Sequence, residues 1–284
     1  VEKQMNERKI FKTMALATMV AGASAFLPCA PAGAAGMLEL DMENVPTVLG
    51  VAVGTLPDYR GSDDYTFGVA PMFRYTLEGQ ERYVQLLANE LTFNVLDDEM
   101  FRFGPLLNYH FGRTDDVDDE EVKLMKELDD TIEAGAFADV VWTLSKDRRH
   151  RFILGAKLYQ DVGDESDGFR ANVSARYWLP VAKPVDFNMS VGALYQDDDY
   201  ANHYFGVNAD NVGTSALPFF TADGGVNEYY MVLGGIFYLS KNWLVSAGVR
   251  GSVIAGDPAD SPIVDQRGDS TQWVGGIGIG YAFW

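Results

Sequence analysis

Apolar and polar residues alternate with a period of two in segment after segment from about residue 48 to the C-terminus. In residues 169–178 the odd positions are Phe169, Ala171, Val173, Ala175 and Tyr177, and the even ones Arg170, Asn172, Ser174, Arg176 and Trp178. Residues 187–196 repeat the pattern, with Phe187, Met189, Val191, Ala193 and Tyr195 set against Asn188, Ser190, Gly192, Leu194 and Gln196. Residues 101–112 do so again, Phe101, Phe103, Leu107, Tyr109 and Phe111 opposing Arg102, Gly104, Asn108 and His110. Successive side chains of a strand point to opposite faces, so each segment predicts a strand with one apolar and one polar face. Similar segments begin near Val48, Tyr65, Tyr83, Ile132, Arg151, Tyr229, Trp243 and Thr271.

A soluble sandwich would turn the apolar faces inward, whereas a membrane barrel turns them to lipid and lines its interior with the polar faces. Segment length favours the barrel, because runs of about ten residues suit a tilted bilayer crossing and exceed the ~5–6 of soluble strands. So does the placement of aromatics at both ends of the apolar stripe, which two interfacial girdles require. The chain also closes on Trp273, Ile277, Ile279, Tyr281 and Phe283, a final amphipathic strand resembling the signal read by the barrel-assembly machinery. The expected fold is therefore all-β, a transmembrane antiparallel up-and-down barrel of the outer-membrane type. Eleven segments are clear, and an even number is required. Twelve strands are thus expected, the missing one within residues 197–227 or 35–46, with ten as the fallback.

The connections alternate short and long. Residues 96–99, 145–149, 180–184 and 240–242 form short links, while 114–130, 163–168, 197–227 and 257–270 are mostly longer and acidic. Short turns belong in the periplasm and long loops outside.

Composition adds a compartment and removes some functions. With 41 acidic and 22 basic residues the formal charge is −19, which argues against nucleic acid as a partner, because phosphate contacts need a basic face. Lys3, Arg8, Lys9 and Lys12 precede an apolar run to Leu27, then Pro28, Pro31 and the small-residue stretch ending Ala34-Ala35. That order describes a cleaved signal peptide over 1–34, leaving 35–284 as a single barrel domain. The apolar run is too short for a membrane anchor, and Pro28 directly before Cys29 departs from a lipoprotein box. The chain is thus expected in the cell outer membrane, in contact with its lipid and lipopolysaccharide.

Candidate chemistry lies mainly on the polar faces. Alternation points Arg74, Arg102, Lys157, Arg170, Arg176 and Arg250 inward against Glu90, Glu133 and Asp139, a cation excess that would favour anions in an open lumen. A barrel of this size can equally be filled by its own side chains. Lys146, Arg148, Arg149 and Arg151 cluster about one periplasmic turn and form a candidate partner contact. Of three histidines, His110 alone is placed like a base, yet no G-x-S-x-G elbow accompanies it, so no catalytic residue and no enzyme activity is expected. The acidic run 115–121 has Glu120 where a calcium loop needs glycine. No metal or cofactor is expected.

Several blocks resemble the MipA/OmpV family of outer-membrane proteins, the MltA-interacting protein family, across essentially the whole mature chain. They are Asp58-Tyr59-Arg60-Gly61-Ser62-Asp63-Asp64-Tyr65, Tyr204-Phe205-Gly206-Val207, Ser215-Ala216-Leu217-Pro218, the ending Gly280-Tyr281-Ala282-Phe283, and Asp260-Ser261-Pro262-Ile263-Val264-Asp265. The last is the most specific, since nothing in generic barrel chemistry demands Asp260, Ser261, Pro262 and Asp265 together. The resemblance implies a non-enzymatic barrel whose name-giving relative is a scaffold between a lytic transglycosylase and a murein synthase. Other members are associated with adhesion or with responses to salt and antibiotics.

Overall fold

A computed structural model describes residues 47–283. The expected signal segment 1–34 and the stretch 35–46 lie outside the described residues, as does Trp284. Twelve strands follow in order: β1 (Thr47–Pro57), β2 (Tyr65–Thr76), β3 (Tyr83–Leu87), β4 (Glu90–Asn94), β5 (Phe101–His110), β6 (Thr131–Thr143), β7 (Arg151–Asp161), β8 (Phe169–Ala182), β9 (Val185–Gln196), β10 (Gly225–Tyr238), β11 (Trp243–Ile254) and β12 (Thr271–Phe283). Each pairs antiparallel with its sequence neighbours, and β1 closes on β12 from Thr47–Phe283 to Thr55–Gly275. No helix among the described residues is long and apolar enough to cross a membrane; the crossing is made by strands.

The twelfth strand is not where the sequence placed it. Residues 197–224 carry two helices, α1 (Asp198–Phe205) and α2 (Ala209–Ser215). The segment beginning at Tyr83 instead folds back on itself at Ala88-Asn89 to give β3 and β4, five residues each. That turn carries no glycine or proline, and Ala88 itself adopts φ +51°.

Two faces emerge from one alternation. β5 reads exposed–buried without a fault from Phe101 to His110. Its odd residues join Val51, Val173, Val191 and Ile277 in an exposed apolar band suited to lipid. Aromatic pairs mark both rims. Trp243–Tyr281 and Tyr281–Phe283, with centroids 5.0 and 4.8 Å apart, stand at the short-turn end, and Phe169–Tyr195 at 5.7 Å at the other. By the loop rule the short-turn end is periplasmic and the long-loop end outer.

Candidate functional site: a chamber inside the barrel

The lumen is stopped at its periplasmic end by inward-pointing apolar side chains. Val48, Met72, Val141, Ile153, Trp178 and Leu244 form one buried cluster drawn from strands around the wall. Met72 can reach across because Gly50 faces it: a Cβ there would lie 2.7 Å from the Met72 Cε. Arg151, 1% exposed, lays its guanidinium 5.2 Å from the Trp178 ring centroid at the edge of this layer.

The outer end is covered by a folded lid. Tyr59 from the β1–β2 loop, Val122 and Met125 from the β5–β6 loop, Phe205 and Leu217 from the β9–β10 loop, and Ile263 and Val264 from the β11–β12 loop share a second buried cluster. The last two lie on a short helix, α3 (Pro262–Asp265). The sequence blocks singled out above meet here. The Tyr59 hydroxyl donates to the carbonyls of Ile263 and Arg267, each at 3.1 Å. Ser261 Oγ donates to the Phe205 carbonyl at 2.5 Å. Gly61, at φ +102°, brings backbone where a Cβ would stand 2.6 Å from Val264 Cγ2, so the close docking of these two loops needs glycine.

Electrostatics reinforce the lid. Burial raises the Asp119 carboxyl, but the Arg267 guanidinium at 2.7 Å and the amides of Val122 and Glu121 outweigh it and hold the group below the usual carboxylate range. Arg267 also pairs with Glu121, and Lys123 with Glu120 at 2.6 Å. The acidic run thus turns several of its carboxylates to partners in its own lid, and among the described residues no group of three His, Cys, Asp or Glu side chains is arranged to hold a metal. Burial pushes the Tyr59 and Tyr204 hydroxyls up and the Arg113 guanidinium down to about 10.

Between lid and base lies a polar chamber of about 140 Å³. Its walls are crossed by ion pairs. Lys157 Nζ reaches Glu90 across the interior at 2.6 Å, and the Tyr159 hydroxyl donates to the same carboxylate at 2.5 Å. Arg170 grips Glu133 through Nε and Nη2 at 2.7 and 2.6 Å, with Asn108 donating at 2.6 Å. Arg176 meets Asp139 at 2.5 Å, and Asp139 is also the register partner of Arg102. Arg250 pairs with Glu228, as does Arg60 from the lid. Arg74 donates to Gln85 at 3.0 Å and stands 3.9 Å from the Tyr83 ring centroid.

All nine inward charges named from sequence therefore face the interior, but they are not the whole set. Glu228, Asp161 and Asp186 are buried carboxylates that alternation did not flag, and Arg60 and Arg151 are further interior cations. Glu228 escaped because it abuts a register shift between Val226 and Glu228, at the end of what read as loop. With these added, the interior is closer to neutral than six cations against three anions.

Arg151 was grouped with a periplasmic surface cluster and is instead almost wholly buried, because its odd position at the start of β7 faces the lumen. Arg148 pairs with Glu81 at 2.9 Å and Glu99 at 3.6 Å, and Arg149 with Asp147 and Asp186 at 2.8 and 2.9 Å. Lys146 is exposed.

The three histidines sit in unlike settings. His110, 3% exposed, lies among aromatic rings, with centroids 5.9 Å from Tyr200 and 4.6 Å from Tyr204, and its Nε2 3.5 Å from the Tyr200 hydroxyl. These contacts support α1 from below. His150 Nε2 lies 2.9 Å from the Tyr177 hydroxyl. Burial lowers the pKa of His203, which stands 4.0 Å from Glu165.

Comparison with known proteins gives one family and distant relatives. The family described as MltA-interacting protein MipA matches residues 49–283. Outer membrane protein OmpV of Vibrio cholerae is 28% identical, covering 62% of this chain and 71% of that protein. The putative outer membrane protein YiaT of Escherichia coli K12 is 25% identical over 77% of this chain and 84% of its own length. Among solved structures, the translocator domain of the autotransporter NalP from Neisseria meningitidis aligns with 87% of this chain and 91% of that one, at 9% identity and a TM-score of 0.44.

Proposed function

The chain belongs to the MipA family of outer-membrane barrels, and from that premise we propose that it is a non-enzymatic scaffold contacting murein-processing enzymes on its periplasmic side. The observation that carries this reading is closure: an apolar base, a loop lid and ion pairs that cross the chamber. A barrel so filled offers partners its rims more than its lumen. The family description, which names an interaction with MltA, supports the same direction.

On the periplasmic rim the contact is narrower than the charge cluster suggested. Lys146 and the partly exposed Arg148 and Arg149 share the short-turn rim with the exposed apolar side chains Leu144, Val181 and Leu239. A contact built on paired guanidiniums gains encounter rate more than affinity, and salt should weaken it. The test replaces Lys146, Arg148 and Arg149 with serine, checks that the barrel still folds, and measures recovery of a lytic transglycosylase and a murein synthase at low and moderate salt. Recovery that falls as it does when salt is added to the unmodified protein supports the contact; unchanged recovery at both salts overturns it. A second reading, a small-solute channel favouring anions, draws on the cations that remain on the chamber wall. Single-channel recording in planar bilayers separates the two, since the scaffold predicts no current.

A further inference from the structure

The barrel wall has a gap. β2 pairs with β1 from Tyr65 to Tyr75, but with β3 only from Met72 to Thr76. β4 meets β5 through Glu90–Asn108, Leu91–Leu107 and Thr92–Leu106. Five residues rise about 17 Å along a strand, so at a tilt near 40° the β3–β4 hairpin climbs roughly 13 Å of an apolar band ~25 Å tall. Above its tip β2 continues through residues 65–70 with no strand on that side, while β5 ends at His110, two residues beyond its last pair with β4. Where the hairpin lies between them, β2 and β5 are three strand spacings, ~14 Å, apart.

The edges of this opening bear the marks of one. Pro71 accepts from the Ala88 amide at 2.9 Å and has no N–H of its own, which suits the point where pairing stops. Alternate residues turn their backbone groups to the same neighbour, so Val69 and Phe67 present theirs to the open side. Such groups have no water to satisfy them in lipid, and an uncovered edge there is disfavoured. Phe67, 76% exposed, is the most exposed large apolar side chain among the described residues. At the hairpin tip Asn89 donates to the Tyr109 carbonyl at 2.7 Å, while its own Oδ1 is buried without a hydrogen-bond partner. Phe111 packs, half-buried, against the cluster containing Ala70, Leu87 and Ala88.

The sill of the opening is also the wall of the chamber. Glu90 and Asn108, paired across β4 and β5, both line it. With the carboxylates that pair with it counted, the lining carries five cations, Arg60, Lys157, Arg170, Arg176 and Arg250, against four anions, Glu90, Glu133, Asp139 and Glu228, an excess of one. Its volume of about 140 Å³ resembles a cavity that holds a benzene-sized group. A second copy standing the same way up would run its β2 in the same direction, so an antiparallel pairing of β2 with β2 is not available to it.

We propose that the gap between β2 and β5 is a lateral port for a single-tailed anionic amphiphile of the outer leaflet. The carboxylate-type headgroup enters the cation-lined chamber over the β3–β4 sill, and the tail stays in the gap against Phe67, Val69 and Phe111. The acid group can accept from the open backbone N–H groups on the way. This proposal goes beyond the scaffold reading and is independent of any periplasmic partner, and a port facing lipid requires no ionic conductance.

The test uses the full barrel in liposomes containing a hexadecanoic acid with a diazirine beside its carboxyl group, or its methyl ester, irradiated and mapped by peptide mass. The acid is expected to label chamber residues around Lys157, Arg176 and Tyr230, and excess oleate should suppress that labelling. The ester should label the lipid face alone. Val69→Trp, on the lipid side of the gap, is expected to cut chamber labelling about tenfold, equivalent to ~1.4 kcal/mol of fit, with heat-modifiable migration unchanged. Absence of chamber labelling by the acid overturns the proposal, and equal labelling by the ester overturns the anionic class. Undiminished chamber labelling in folded Val69→Trp overturns the route.

Discussion

Glu133→Gln tests whether the lumen is filled or open. The Glu133 carboxylate is 1% exposed and accepts three hydrogen bonds, two from Arg170 and one from Asn108. Glutamine keeps one acceptor but turns an amide N–H₂ toward the guanidinium, leaving a buried cation without its counter-ion. Breaking a buried pair in this way costs about 3–5 kcal/mol. The Tyr159 ring, 3.8 Å from Arg170, remains and offsets about 0.5–2 kcal/mol. The expected loss is therefore about 3 kcal/mol. In Glu133→Gln/Arg170→Gln two neutral amides can bond to each other. The double variant should recover most of the loss, with a coupling of roughly 2 kcal/mol. Urea unfolding in detergent micelles, read by tryptophan fluorescence and by loss of heat-modifiable migration, measures all four corners of the cycle. In a water-filled lumen the same pair would be screened and worth about 0–1 kcal/mol. A single-variant cost under about 1 kcal/mol, or additivity within ~0.5 kcal/mol, would refute the filled lumen and favour the channel.

Three further outcomes follow from the wall, the ends and the lid. Val191→Arg, at an exposed mid-strand position on the lipid face, should lower stability by about 2–4 kcal/mol relative to Val191→Leu; equal urea midpoints would mean the faces are reversed. Asp116→Cys on the outer loop should react with a membrane-impermeant maleimide on intact cells, and Lys146→Cys only after permeabilisation; the opposite order would invert the orientation. The Asp119 carboxyl is held low in the folded lid, so its contribution is present above its unfolded pKa of about 4 and lost as pH falls through the lower folded value. Hydrogen exchange at Val122 and Ile263, corrected for intrinsic rate, should thus accelerate below about pH 4, and Arg267→Gln should show the faster exchange already at neutral pH. An acid response that survives Arg267→Gln unchanged would assign the effect elsewhere.

Much of the wall was legible because a barrel strand states its faces locally. The alternation in β5, β8 and β9 needs no knowledge of the neighbours to be read. The failures have local causes as well. β3 and β4 ran together as one segment because their turn is Ala88-Asn89, where an alanine takes a left-handed conformation usually signalled by glycine or asparagine. Arg151 was assigned to a turn because three cations precede it within a few residues, although its own position belongs to the first inward site of β7. Glu228 was lost at a bulge, where the period of two slips by one residue.

The lid was not legible as a structure, yet its residues were the ones that stood out. Tyr59 and Ile263 are 204 residues apart and touch through one hydroxyl, so no periodicity could bring them together. What the sequence did show was that blocks around Tyr59, Phe205, Leu217 and Ser261 resemble one family, and that the last of them is not demanded by generic barrel chemistry. The fold explains that concentration physically. A wall position asks only for an apolar or a polar side chain, and many residues satisfy it. A lid made of loops has no ladder to hold it, so each docking point depends on a particular atom: a hydroxyl at Tyr59, an absent Cβ at Gly61, a hydroxyl at Ser261. The same reasoning applies to the gap beside β2. Its signature is a proline, a short hairpin and an unpartnered edge, features that disturb the alternation and so are missed by any reading that rewards it.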